Sequence, residues 1–209
     1  MTDLPGAPPA PVVVAEGLYE GEEFSGAIDA LDGEGCRFLD CRFASLTVTG
    51  GRGERSAWRG STFEGVRFTG VRMPRSSWLD VRIDRSALSG CEAYGSQWRR
   101  VRLEGCLIDT LNLREATWRD VVLVDCTVRH LDLGSARLTD VALRHCVIEQ
   151  LDLSNATLTR VDLRGSRLDL VRGVDRLRGA TIDHTQLLDL APLLASHLGL
   201  TVRPGDLAP

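Results

Sequence analysis

Six cysteines, four histidines and 25 basic residues, all of them arginine, are the side chains of this 209-residue sequence with the most obvious chemical potential. A structural zinc needs four convergent nitrogen or sulfur ligands. Cys36, Cys41, Cys91, Cys106, Cys126 and Cys146 contain no CxxC pair, and every interval between them is a multiple of five. That spacing places them on the same side of a repeating unit and marks them as reduced core filler rather than ligands. Cys106, Cys126 and Cys146 recur every 20 residues, close enough in a stacked fold to admit a disulfide as the alternative. A general base needs a bonded partner inside a cleft. His130 and His145 have no nucleophile beside them in the repeat, and His184 and His197 lie beyond it. Catalytic, metal-binding and cofactor-binding residues are therefore all expected to be absent, and the chain is not expected to be an enzyme. Asn112, Asp132 and Asp152 also recur at 20 and would bond to neighbouring backbone; calcium on such a ladder is the rarer use. Arg52, Arg55, Arg72 and Arg75, spaced by 3 and 20, could form a patch for an anionic partner, diluted by Glu54 and Glu92.

The element that places these residues is a period of five. From Phe38 to Leu168, every fifth residue (position i) is large and apolar except Gly53 and Ala93. From Cys36 to Ser166, every residue two places earlier (i−2) is Cys, Leu, Gly, Ser, Val or Ala. Charges occupy only the other three positions. A helix stripe repeats at 3.6 and a simple strand at 2, so neither accounts for two inward residues in five. A period of 20 is superposed. Trp58, Trp78, Trp98 and Trp118 are all the tryptophans, in a column that begins at Phe38 and continues through Leu138 and Leu158. Four fives make one coil with four sides. Ser56, Ser76, Ser96 and Ala116 beside the tryptophans balance their bulk, as close packing requires.

Leu131-Asp132-Leu133-Gly134-Ser135, Leu151-Asp152-Leu153-Ser154-Asn155 and Val161-Asp162-Leu163-Arg164-Gly165 resemble the A-(D/N)-L-x-x motif of the pentapeptide-repeat family. Gly51-Arg52-Gly53-Glu54-Arg55 departs from it and is expected to bulge or turn loosely. The resemblance implies an all-β fold, a right-handed quadrilateral β-helix, capped here by a short C-terminal α-helix. Residues 36–169 would give roughly 6.7 coils at a spacing of about 4.8 Å, a rod of about 32 Å whose two open edges need covers.

Four segments follow: a flexible Pro/Ala-rich tail (1–16), an acidic cap or imperfect first coil (17–35), the β-helix (36–169) and a helical C-terminal cap (170–209). In the last, residues 185–199 read as helix, started by Asp183 or Thr185 and ended by Gly199, with Pro192 kinking or splitting it. Leu187, Leu190, Leu194 and Leu198 make a stripe that either plugs the solenoid or, as in relatives, also forms a homodimer. No stretch nears about 18 apolar residues and no secretory signal is visible, so a cytoplasmic protein without membrane contact is expected. The resemblance implies a non-enzymatic interaction or scaffold protein of unassigned partner. The family's topoisomerase-protecting, quinolone-resistance members supply an alternative, a DNA mimic acting on gyrase or topoisomerase IV. Against mimicry, residues 36–169 hold 21 arginines and 17 acids, whereas residues 1–35 hold eight acids and no base. Weak nucleic-acid binding through surface arginines is a second alternative, opposed by tryptophans that point inward.

Overall fold

The structure, a computed structural model, describes residues 12–203. In extended backbone, residues i−2 and i point to the same side. The chain then turns at i+2, where Asp40, Ser45, Arg55, Arg75 and Asp80 have φ between 51° and 58°. That left-handed residue interrupts the alternation and starts a new side, so each five buries two side chains. All 27 positions i from Phe38 to Leu168 are buried, as are all i−2 positions from Cys36 to Ser166 except Gly51. The first face carries the Trp column. The second carries Phe43, Phe63 and Ile83, the third Val48, Phe68 and Leu88, and the fourth Gly53, Met73 and Ala93.

Coils stack as parallel strands with a step of 20. Trp58 pairs with Trp78, Trp78 with Trp98, Trp98 with Trp118, and Trp118 with Leu138. The result is a parallel β-solenoid of about eight turns. The corner between the third and fourth faces changes character along the rod. Gly50, Gly70 and Gly90 turn there with φ of 75°, 66° and 62°. Their successors Thr110, His130 and Gln150 have no positive φ, and the strands Leu107–Asn112, Thr127–Asp132 and Val147–Asp152 run through the corner. The loss of glycine coincides with the loss of the left-handed turn.

The weak five at 51–55 does not bulge. Gly51, at φ 97°, approaches Leu31 so closely that a Cβ would lie 2.1 Å from the Leu31 nitrogen. Buried Leu31 and Met73 from the flanking coils fill the space that Gly51 and Gly53 leave, and Gly53 N–H still bonds to Arg72 O at 2.7 Å. The irregularity falls earlier. Tyr19 pairs with Phe38 and Phe24 with Phe43, a step of 19, and the register slips between Phe24 and Gly26 before resuming at 20. The first coil is thus one residue short at a corner. The ring of Tyr19 nevertheless stacks on Phe38 at 5.0 Å, and its hydroxyl accepts from Val14 N–H at 2.9 Å. The tail expected at 1–16 lies mostly outside the described residues.

At the other end, the last full strand, Arg167–Arg172, is followed by a 3-10 turn (Val174–Leu177), a short strand (Ala180–Thr181) and helix α1 (His184–His197). Asp183 caps α1 in a capping box with Gln186. Gly199 N–H bonds to Ser196 O and Leu200 N–H to Ala195 O, which closes the helix as a Schellman motif. Pro192 does not split α1. Pro192 and Leu188, whose carbonyl loses its donor, both sit on the exposed side, where water can take that bond. Buried Gln186 donates from Nε2 to Leu163 O and Ser166 O, at 2.5 and 2.6 Å, so a side chain of the cover satisfies carbonyls at the open end of the ladder.

Candidate functional surface

Five of the six cysteines share one local role; the sixth, Cys36, donates instead to Val14 O at 3.0 Å. Cys41, Cys91, Cys106, Cys126 and Cys146 each donate Sγ–H to the carbonyl two residues back, at 3.3–3.7 Å, and Ser61 and Ser86 do the same in their coils. Ser61, Ser86 and Ser166 also accept from the backbone N–H of Cys41, Val66 and Cys146 in the preceding coil. A small polar side chain at i−2 therefore serves corner backbone groups that the ladder misses. All six thiols are buried and unbridged. Burial pushes the Cys91 thiol up to about 11, which disfavours the nucleophilic thiolate at neutral pH. Among the described residues, no group of three or more His, Cys, Asp or Glu is placed to hold a metal.

The Asx column binds backbone. Asn112, Asp132 and Asp152 accept through Oδ1 from the N–H of Arg114, Gly134 and Ser154, two residues on, at 2.8–3.1 Å. This turn bond accounts for Asp or Asn at i−1 of the motif. His145 lies 3.6 Å from Asp125, both well exposed on a corner.

Three of the four patch arginines are tied to carboxylates one coil away. Arg55 meets Glu34 at 2.8 Å, Arg75 meets Glu54 at 3.1 Å and Arg72 meets Glu92 at 3.2 Å. Arg52 stands in register with Asp32. The four lie together on the fourth face, but their charge is answered locally. The helix stripe divides. Leu190 is buried against the solenoid end and Leu194 partly so, whereas Leu187 and Leu198 are exposed, together with Leu188 and Leu200. The face that meets the solenoid is Gln186, Leu190 and Leu194, an i, i+4, i+8 row of α1 that includes a polar residue, with Leu193 beside it and Ile182 just before the helix. That polar member hid the row from hydrophobic patterning, although Gln at N3 of a capping box is a sequence signal.

The Trp column, from Phe38 through Trp58, Trp78, Trp98 and Trp118 to Leu138 and Leu158, is buried throughout, with Phe38 and Trp58 stacked at 4.0 Å. A small void of about 10 Å³, lined entirely by apolar side chains including Trp118, Leu138 and Leu158, lies where tryptophan gives way to leucine. The surface depressions are shallow. One, between the first and second faces, is lined by Glu20, Asp40, Arg59, Gly60 and Asp80.

A rod with four flat faces, a buried two-in-five ladder and a helical end cover defines a parallel quadrilateral β-solenoid. Residues 96–172 match the model of the pentapeptide repeat region, and the same register extends back to Phe38. Those residues form a pentapeptide repeat region. Among solved structures it is similar to full-length QnrB1, a plasmid-mediated fluoroquinolone resistance protein (17% identity over 88% of this chain and 100% of that one, TM-score 0.46). It is also similar to HetL, a pentapeptide repeat protein involved in heterocyst differentiation regulation from the cyanobacterium Nostoc sp. strain PCC 7120 (14% identity, 80% and 88% covered, TM-score 0.36). A third is Rfr23 from the cyanobacterium Cyanothece 51142 (11% identity, 80% and 85% covered, TM-score 0.23). No curated protein matches the sequence.

Proposed function

We propose that this protein is a non-enzymatic interaction module that presents flat, charged faces to a protein partner in the cytoplasm. The observation that carries the reading is the ladder itself: it holds the outward side chains of each face at a fixed spacing of about 4.8 Å, and the depressions between them among the described residues are open and shallow. Such a surface recognises another surface rather than a small substrate. Among the described residues no helix is long and apolar enough to cross a membrane. The reading is tested by cross-linking the tagged protein in extracts of its source cell and identifying partners by mass spectrometry, with charge reversals placed one face at a time. A partner lost with one face and kept with the others is expected. Capture indifferent to all four faces would sink the proposal.

Protection of gyrase or topoisomerase IV by DNA mimicry is the alternative that family resemblance suggests. The charge layout opposes it, because residues 36–169 hold 21 arginines against 17 acids and most of those acids meet an arginine. A supercoiling assay with and without a quinolone separates the two: neither protection nor inhibition is expected. A homodimer through the outer side of α1 belongs to the same proposal, supported by the exposed Leu187, Leu188, Leu198 and Leu200.

A further inference from the structure

Across the described residues the arginines are unevenly compensated. Fourteen of the 25 reach a carboxylate at salt-bridge distance. Of the 11 that do not, five lie on the first face, over the Trp column: Arg37, Arg59, Arg99, Arg119 and Arg137, all exposed. Arg99 and Arg119 are register partners on adjacent coils, with no acid between them. Like charges directly opposite in a sheet destabilise it. The second face shows how the fold ordinarily treats that problem. There Arg82 and Arg102 are also register partners, but Arg82 meets Asp84 at 2.9 Å and Arg102 meets Glu104 at 2.9 Å. On the first face no salt bridge does this, and Arg59 and Arg99 act on Asp80, and Arg119 on Asp140, only at longer range.

We infer that the first face is a docking surface for an acidic protein segment lying along the rod; this deepens the interaction-module reading and rests on it. The row beside the arginines is Arg37, Ala57, Ser77, Gln97, Thr117 and Arg137. Its two ends are cationic and its middle is uncharged. Five coil steps make it about 24 Å long, the span of about seven extended residues. On the far edge stand Asp40, Asp80, Asp120 and Asp140. Arg100 and Arg160 neutralise Asp80 and Asp140, whereas Asp40 and Asp120 have no salt-bridge partner among the described residues. A nucleic-acid duplex, wider than one face, would press phosphates onto these acids as well as onto the arginines. A single acidic strand fits between the borders.

The test uses a fluorescent ten-residue poly-glutamate peptide, a Gly-Ser peptide of equal length and a 20-base-pair DNA duplex, with binding read by anisotropy. The poly-glutamate peptide is expected to bind, to weaken as salt rises, and to lose at least about tenfold in affinity in Arg99→Glu/Arg119→Glu. Arg144→Glu, a reversal of an uncompensated arginine on the second face, is expected to leave binding within about twofold. Circular dichroism checks that both variants fold. Arg119→Gln is expected to raise Tm at low salt, because it removes one member of a repelling pair. Equal binding by wild type and the double variant, tighter binding of the duplex than of the peptide, or a lowered Tm in Arg119→Gln would each overturn the inference. Failure to bind the peptide, with face-dependent partner capture intact, would remove this surface and leave the interaction-module reading standing.

Discussion

Trp58 and Trp78 donate Nε1–H to Ser56 and Ser76, two residues earlier, at 2.9 and 2.8 Å. The pattern fails in the next two coils. Trp118 stands beside Ala116, which has no acceptor. Trp98 tilts 38° from Trp78 while lying within 22° of Trp118, and neither its Nε1 nor Ser96 Oγ finds a partner. A buried unpaired donor costs about 1–3 kcal/mol. Ala116→Ser should therefore stabilise the protein by about 1 kcal/mol, read as a higher denaturant midpoint at unchanged m-value; a lower midpoint would mean that the added oxygen overpacks the column. Trp98→Ala removes a ring packed between two others and should cost roughly 3–5 kcal/mol. A negligible loss in the same denaturant titration would contradict the packing of this column.

At the scale of elements, the solenoid end and α1 are joined through a few bonds. Gln186→Leu keeps the size of the side chain but leaves the carbonyls of Leu163 and Ser166 without their donor and breaks the capping box. A loss of about 1–3 kcal/mol is expected, together with faster amide exchange in the strand Arg167–Arg172. Unchanged exchange there would show that the cover does not stabilise the last coil. The Asp183 carboxylate is held below its usual pKa by the backbone N–H of Gln186 and then of Gly165. A carboxylate with a depressed folded-state pKa contributes stability above its unfolded pKa and loses it as pH falls toward the folded one. The cover should thus loosen as pH falls below about 4. In Asp183→Asn that pH dependence should flatten, since amide oxygen can still cap; an acid transition identical to wild type would place the titrating group elsewhere.

For the whole molecule, stability is close to a sum over neighbouring coils, and the proposed homodimer rests on what α1 presents outward. Leu188→Arg places a charge on the exposed side of α1 without touching the face that meets the solenoid. If the proposed homodimer forms there, light scattering should show a dimer in wild type and a monomer in this variant, with similar Tm corrected for concentration. A monomeric wild type would assign α1 to covering alone. The excess of positive charge on the rod gives the molecule a direction, with acids gathered at the first coil and uncompensated arginines along the first face.

The period of five, the coil of 20, the buried fate of every tryptophan and cysteine and the existence of a capped C-terminal helix were all legible in the sequence. The first three follow from local spacing repeated against a similar neighbour, so a column in the sequence becomes a column in space, whereas the helix follows from its own caps and helical spacing. The first coil was less legible, because its 19-residue step sets Tyr19 and Phe24 one place out of phase. Only the tertiary structure decided the rest. Which arginines reach a carboxylate depends on side-chain reach across coils, and so the patch of Arg52, Arg55, Arg72 and Arg75 proved largely compensated while Arg99 and Arg119 did not. Which side of α1 is covered depends on where the last coil leaves open carbonyls, and there a glutamine outranked the leucines. The interior is dictated by periodicity; the surface chemistry is set by the contacts that periodicity leaves free.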